Sequence, residues 1–593
     1  MFKRIKLKLV GKESWLHGKV LNKHKNKSMY KNIVVIQLDD GLKEEEFDFS
    51  KDVEQWAEIN EEDVEISEPC CSVLHSKVLT KAQAKEKPGL KKAIEQEIKK
   101  FENFEAFKRV RDQGQFAIKT RWVFSEVDES KGFDVKNDLK ARLCMRGDSE
   151  KDIDSIRADS PTAHKDSLKL GLAIAANEGF NLISGDIKSA FLQGKSLQRE
   201  VFVLPPAEAK EEGVLWRLEK GAYGLLDGSR LFYLELKETL ENLGMRPLSG
   251  DPAFFSMHEE GKLIGIVCIH VDDLLMSGNS NFENQIVRKL QQHFKFSKIE
   301  KQKFKYLGCE IEKLPSGDIS LNQNKYIQNI KDVVVPSKRN NYRVNETEKK
   351  EIRRVVGELL WVSLMTRPDL SFDVNQLSTK ISSASIRDLK DARRLVEKAK
   401  FDPISLNFTR LGNRDSLRIK LYCDASFNNQ DDKLRSTEGR VLLLESKDSE
   451  KANIFSWKTK KITRVCRSVK GAETRSLENG LDDAIHFGRM VREIYDGVAD
   501  LKDPKQIEVE AMTDNRGLWE NLYNTRQCNE KMLRNSVALM KEMLEKKEVK
   551  RVSWVETDNM LADVLTKKGG NSYWIKDVLT RNLMSCNHDD KRR

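Results

Sequence analysis

The sequence predicts a multidomain α+β protein with a small β-barrel-like module at its amino end. Three observations predict it. A chain of 593 residues is too long for one hydrophobic core. Strand-like runs (IKTRWVF, NLISGDI, LIGIVCIHVDD) alternate with helical ones (DSLKLGLAIAANEG, SRLFYLELKETLENLG) from about residue 116 onward. The first 66 residues instead read as short alternating strands with turns between them.

Taken in order, residues 1–66 hold WLHGKVL, a basic KHKNKS loop, NIVVIQLDDG and EEFDF, a small β module. Residues 67–115 are Lys/Glu-rich, with Leu90, Ile94, Ile98 and Phe101 at helical spacing, and predict a helical connector. The alternating pattern predicts the largest α+β unit over 116–335 and a mainly helical unit over 336–412. A second α+β domain is expected over 413–575, where RIKLYCDASF, a turn-rich DDK segment, RVLLLES and NIFSWKT precede a long helix, and 576–593 is read as a tail.

Hydrophobic residues at 39% and charged residues at 34% suit a globular protein with large solvated faces, not a disordered or fibrous one. The formal charge of +11 leans toward polyanionic partners. Nine cysteines without a CxxC pair predict neither a disulfide framework nor a zinc finger, and fit a reducing intracellular compartment. The longest apolar stretch, Leu263–Val271, is far short of the roughly 20 residues a bilayer requires. The start MFKRIKLKLV lacks a secretory apolar region, so neither membrane association nor export is expected.

Two sets of carboxylates carry the chemistry. Asp186 ends the apolar strand NLISGDI, a place where an aspartate is ordinarily a turn former or cap. Asp272 and Asp273 follow LIGIVCIHV and precede a second apolar run, which predicts a β-hairpin whose tight turn holds two adjacent acids. Like charges there repel, and a divalent cation removes that cost. Nucleotidyl transfer through two Mg²⁺ ions about 3.5 to 4 Å apart needs such converging hard oxygens, and Asp186, Asp272 and Asp273 are the candidates.

GDIKSAFLQG, IHVDDLL and AYGLLDGSRLFY, in that order, resemble the palm motifs of copia-type reverse transcriptases. The resemblance extends through TRWVF, KARLCMRGD, FKYLGCEI and GELLWVSLMTRPDLSFDVNQLS, most of residues 116–380. It implies a right-hand polymerase of fingers, palm and thumb, with Asp186 and Asp272 as the principal metal ligands and Asp273 as the third. It further implies that Lys140 and Arg142 grip the triphosphate, and that Phe191 is the ring that excludes a 2′ hydroxyl. His270 stands where the family usually has Tyr, and Leu226 and Asp227 stand in place of a Lys-Gln pair. The first departure bears on rate or fidelity and not on the metal ligands.

The second set is Asp424, Glu473, Asp514 and Asp563, spaced 49, 41 and 49 residues apart. Two are expected on strand ends and two on helices, Asp563 on the last one. They converge only if sheet and helices fold back on one another, the arrangement of ribonuclease H, where hydrolysis again uses two hard metals. YCDAS, GAETRSL, TDN and NMLADVLTK resemble the copia-type ribonuclease H motifs, with those four acids as catalytic metal ligands. Gly471 replaces the first of two glutamates common in the family, leaving Glu473 as the ligand.

ESWLHGKVL and DFSKDVEQW resemble the SH3-like barrel that ends the integrase region of related elements. No protease motif, zinc knuckle or integrase core precedes it, so a truncated polyprotein is expected. The resemblance implies an RNA-directed DNA polymerase with ribonuclease H activity. Its cofactors would be two Mg²⁺ per active site, or Mn²⁺ in their place, and its partners an RNA template, a DNA primer, an RNA–DNA hybrid and deoxynucleoside triphosphates. The implied location is a cytoplasmic virus-like particle or the nucleus. Two alternatives stay open: a decayed or domesticated remnant that binds nucleic acid without catalysis, and a nuclease with only the carboxy-terminal activity.

Overall fold

A computed structural model describes the backbone of five amino-terminal strands and residues 76–127, 139–151, 153–430, 435–497, 506–525, 528–570 and 572–584. The chain divides into two compact units, Met1–Leu74 and His75–Arg593. In the first, strands Arg4–Leu9, Trp15–Lys23, Ile33–Leu38, Glu44–Asp48 and Val53–Glu58 form one antiparallel sheet. The fifth strand pairs with the first, beside the second, third and fourth in turn. Most of the KHKNKS loop and the whole DDK segment lie outside the described residues.

The second unit begins with a finding that differs from the expected helical connector. Helix Leu90–Asn103 is present and buries Ile94 and Phe101. The stretch also holds strand Ser76–Leu79, paired with Thr120–Val127, and strand Phe107–Arg111, paired with Val214–Leu218. These strands are short, and their partners come from far along the chain. No local periodicity announces them.

A six-stranded antiparallel sheet lies at the centre, in the order Arg246–Pro247, Phe254–Glu259, Lys262–His270, Asp273–Gly278, Asn181–Ile187, Phe296–Lys301. Helix Lys165–Glu178 is buried on nearly every face: its run LGLAIAA at 170–176 is apolar all round, and Asp166 and Lys169 are buried beside it. Helices Glu346–Met365, Ser371–Thr379 and Ile386–Phe401 form the expected helical unit around Ile352, Val355, Leu359, Leu389 and Ala392.

The carboxy-terminal α/β arrangement is a five-stranded mixed sheet. Ala452–Lys461, Arg435–Ser446 and Leu417–Gln430 run antiparallel; Glu508–Thr513 and Arg551–Trp554 continue parallel to Leu417–Gln430. The long helix Val469–Asp496 packs Leu477, Leu481, Ala484, Ile485 and Val491 against it. Asp563 is not on the last helix but opens a short 3-10 turn, Asp563–Leu565. The last helix, Tyr573–Arg581, runs across the expected start of the tail, because Val578 and Leu579 are core residues. Among the described residues no helix is long and apolar enough to cross a membrane. None of their six described cysteines is joined in a disulfide.

Candidate active sites

The first acid set is built by three strands. Asp186 and Asp273 are direct cross-strand partners, and Asp272 sits in the two-residue turn that joins His270 to Asp273. Partners directly opposite in an antiparallel ladder project to one face, so the sequence gathers its three acids at one end of the sheet. The backbone fixes the turn from outside as well, since the Ile187 N–H donates to the Asp272 carbonyl at 3.0 Å. The Ser297 hydroxyl donates to Asp186 Oδ2 at 2.6 Å. Burial, then Asp186, pushes Asp272 up to about 6, opposed in part by Arg142. Burial, then Asp272 and Asp186, pushes Asp273 up to about 7. Three carboxylates gathered in one place, two of them with raised proton affinity, form a site suited to hard divalent cations.

Asp186 and Asp272 open onto a cavity of about 470 Å³ that Lys140, Arg142 and Tyr223 also line. Lys140 and Arg142 stand on strand Leu139–Met145, where alternation carries both to the same side. Tyr223, which sequence reasoning missed, has its phenol pushed up by burial and then by Asp272. Phe191, on a short 3-10 turn, stacks at a tilt on Tyr223 with ring centroids 4.9 Å apart. Ser297 gave no signal in the sequence, and Tyr223 gave only its place in AYGLLDGSRLFY, because each reaches the acids from a separate segment.

The second set is tighter. Among the described residues, Asp424, Glu473 and Asp514 are the one group of three potential metal-binding side chains whose ligand atoms all lie within 4.8 Å of one another. Asp424 is 1% exposed and Glu473 5%. Burial pushes Asp424 up to about 6, with Lys567 opposing, and drives Glu473 well above the ordinary range. Glu473 Oε1 accepts from the Ala425 N–H at 3.2 Å, whereas its Oε2 is buried without a hydrogen-bond partner. An orphaned buried carboxylate oxygen is costly, and a cation bound by the three acids would satisfy it. Thr557 donates to Asp514 Oδ2 at 3.0 Å, and the Thr566 hydroxyl donates to Asp424 Oδ2.

Asp563 is not gathered with the other three: its Oδ1 is in direct contact with Lys567 Nζ, which also lies 3.6 Å from Asp424 Oδ1. The departures from the family pattern are accommodated. Asp227 is buried and paired with Arg199, which also binds Glu150 at 2.8 Å, so the change to an acid comes with its own cation. Gly471 donates its N–H to the Ser468 capping hydroxyl at 3.0 Å. His270 pairs with Asp273 across the hairpin, and burial lowers its pKa.

Residues 104–342 match the family described as reverse transcriptase (RNA-dependent DNA polymerase). The chain is 29% identical over 378 residues to the retrovirus-related Pol polyprotein from transposon RE1 of Arabidopsis thaliana, an overlap of 60% of this chain and 25% of that one. It is 25% identical over 471 residues to the transposon Ty1-DR6 Gag-Pol polyprotein of Saccharomyces cerevisiae, covering 72% of this chain and 25% of the other. The matched region thus spans about a quarter of the length of these curated relatives. Among solved structures, the foamy viral protease–reverse transcriptase in complex with double-stranded DNA aligns at a TM-score of 0.47 and 13% identity, covering 78% of this chain and 69% of that one. Ribonuclease H1 of Halobacterium salinarum aligns at 0.19 and 20% identity, covering 25% of this chain and 94% of that one. Residues 104–342 thus match a reverse transcriptase family, and over 60 to 72% of its length the chain is similar to the Pol polyproteins of copia-type retrotransposons.

Proposed function

We propose that the chain is an RNA-directed DNA polymerase that also hydrolyses RNA in RNA–DNA hybrids, with one acid set for each reaction. The observation that carries the reading is the shared cavity: Asp186 and Asp272 open onto the same space as Lys140 and Arg142. A primer 3′ hydroxyl and a triphosphate need acids for divalent ions and cations for phosphate oxygens in one place. Asp186, Asp272 and Asp273 would hold Mg²⁺ or Mn²⁺, as would Asp424, Glu473 and Asp514; such ions lower the pKa of the attacking hydroxyl and stabilise the leaving oxygen. Lys140 and Arg142 bind and orient the triphosphate. The Phe191 ring, held against Tyr223, takes the space a 2′ hydroxyl would need. In the second site the Ala425 N–H and Thr557 hydroxyl fix Glu473 and Asp514, so that the cluster is formed before substrate arrives.

Primer extension on an RNA template and cutting of a labelled RNA–DNA hybrid, both in Mg²⁺, test the assignment. Asp272→Asn is expected to lower extension by about a thousandfold or more and leave cutting intact, and Asp424→Asn to do the reverse. A wild-type protein that neither extends nor cuts, while still binding hybrid, would establish a non-catalytic binder. One that only cuts would establish a nuclease.

A further inference from the structure

We propose that Lys567 is a resident cation of the second acid cluster, its ammonium standing between Asp424 and Asp563 where a second divalent ion would bind, so that loading of that ion requires the lysine to withdraw. The inference rests on reading this cluster as a divalent-metal site. An aspartate and a lysine four residues apart often pair on a helical surface, and Asp563 with Lys567 alone would mean no more than that. Here the ammonium also lies 3.6 Å from Asp424 Oδ1, on the buried central strand 143 residues earlier. It therefore bridges the tight trio, through Asp424, to the one acid that stands apart from it.

Charge balance gives the consequence. Four carboxylates facing one ammonium and one divalent ion retain a single negative charge, too little to hold another divalent ion beside a fixed cation. One ion fills the trio, where Glu473 Oε2 has no other partner. The next must displace Lys567.

The side chain has somewhere to go. Lys567 is 38% exposed and lines a cavity of about 500 Å³, whose walls include Asp373, Asp388 and Asp391 on the neighbouring helices. Those carboxylates already pair with Lys398, Lys380 and Arg394 on the same walls, so the withdrawn ammonium goes to solvent or to the phosphates of a bound duplex.

The test uses the full chain carrying Asp272→Asn and Asp273→Asn to silence the first acid set, titrated with Mn²⁺ and read by the electron paramagnetic resonance of the free ion. Two ions that Asp424→Asn removes are expected, the second bound at least tenfold more weakly than the first. Lys567→Met, and Lys567→Gln as a neutral variant that keeps a hydrogen bond to Asp563, should tighten the second ion about tenfold and leave the first unchanged. Equal affinities in the unaltered cluster, or a second constant indifferent to both substitutions, overturns the proposal. If the cluster takes up no ion that Asp424→Asn abolishes, the metal-site reading itself falls and this inference with it.

Discussion

Asp272 and Asp273 titrate far above the ordinary aspartate value of 3.8, near 6 and 7. Between about pH 4 and 7 the folded chain therefore binds more protons than the unfolded one, and stability present below pH 4 is lost as pH rises through 7. In a chelator, Asp272→Asn combined with Asp273→Asn should melt with a shallower fall over this window than wild type, by at most about 7 kcal/mol at pH 7.5 and by less to the extent that solvent screens these half-buried groups. Mg²⁺ should remove most of the difference. Parallel melting curves for the two proteins would rule the account out. Phe191 offers a second measurement at this scale: Phe191→Ala should raise ribonucleotide incorporation relative to deoxynucleotide by about tenfold or more in single-nucleotide primer extension, with hybrid cutting unchanged. An unaltered ratio would assign the ring to packing against Tyr223 alone. The acids themselves were legible in the sequence because adjacent like charges between two apolar runs are hard to explain without a cation. Ser297 was not, nor were the approaches of Tyr223 to Asp272 and of Lys567 to Asp424, since the tertiary fold makes those contacts and no spacing along the chain encodes them.

The hairpin of Lys262–His270 and Asp273–Gly278 shows what an element adds to its residues. Val271, in its turn, has φ +56°, a left-handed conformation that a β-branched residue adopts only under constraint. Val271→Gly should relieve strain and raise stability by about 1 kcal/mol, yet lower primer extension, because the turn would no longer hold Asp272 to one position. A rise in both stability and extension would show that the strain has no catalytic use. Farther down the hairpin Gly265 and Gly278 are cross-strand partners, and the Phe282 ring fills the slot they leave. A Cβ built at Gly265 would lie 2.1 Å from Phe282 Cδ2, so Gly265→Ala should cost about 1 to 3 kcal/mol in denaturant unfolding, whereas Ala at the open Gly357 should be tolerated. The hairpin was legible as an apolar run, two acids and another apolar run; its glycines were not, because the ring that demands them comes from the following helical turn.

At the scale of the molecule, one hydrophobic core runs from helix Lys165–Glu178 through the central sheet into the carboxy-terminal sheet. The sequence marked that segment as helical but gave no hint that its cover is residues 452–461, almost 300 positions away, since an apolar surface does not specify its partner. The polar groups in the seam do specify it. Lys169 is fully buried, its ammonium 3.5 Å from the centre of the Trp457 ring, 3.1 Å from Asp166 Oδ1 and 3.1 Å from the Leu364 carbonyl. Trp457 Nε1 donates to the Ser363 carbonyl at 2.7 Å, and Ser456 donates to Asp166 Oδ2 at 3.0 Å. One ammonium thus ties together the helix behind the first acid set, the helix Glu346–Met365 and the sheet that carries the second. Lys169→Met leaves Asp166 buried without its cation and should cost about 3 to 5 kcal/mol, whereas Trp457→Phe, which removes one hydrogen bond and weakens the cation–π contact, should cost about 1 to 2. Calorimetry should resolve a separate, earlier transition for the carboxy-terminal sheet in Lys169→Met where wild type unfolds its second unit as one. Under the proposed pair of reactions, the positions of hybrid cuts measured from a stalled primer end should spread more widely in this variant than in wild type. An undivided transition at the wild-type midpoint, with an unchanged cutting pattern, would mean that the apolar contacts alone hold the two sites in register.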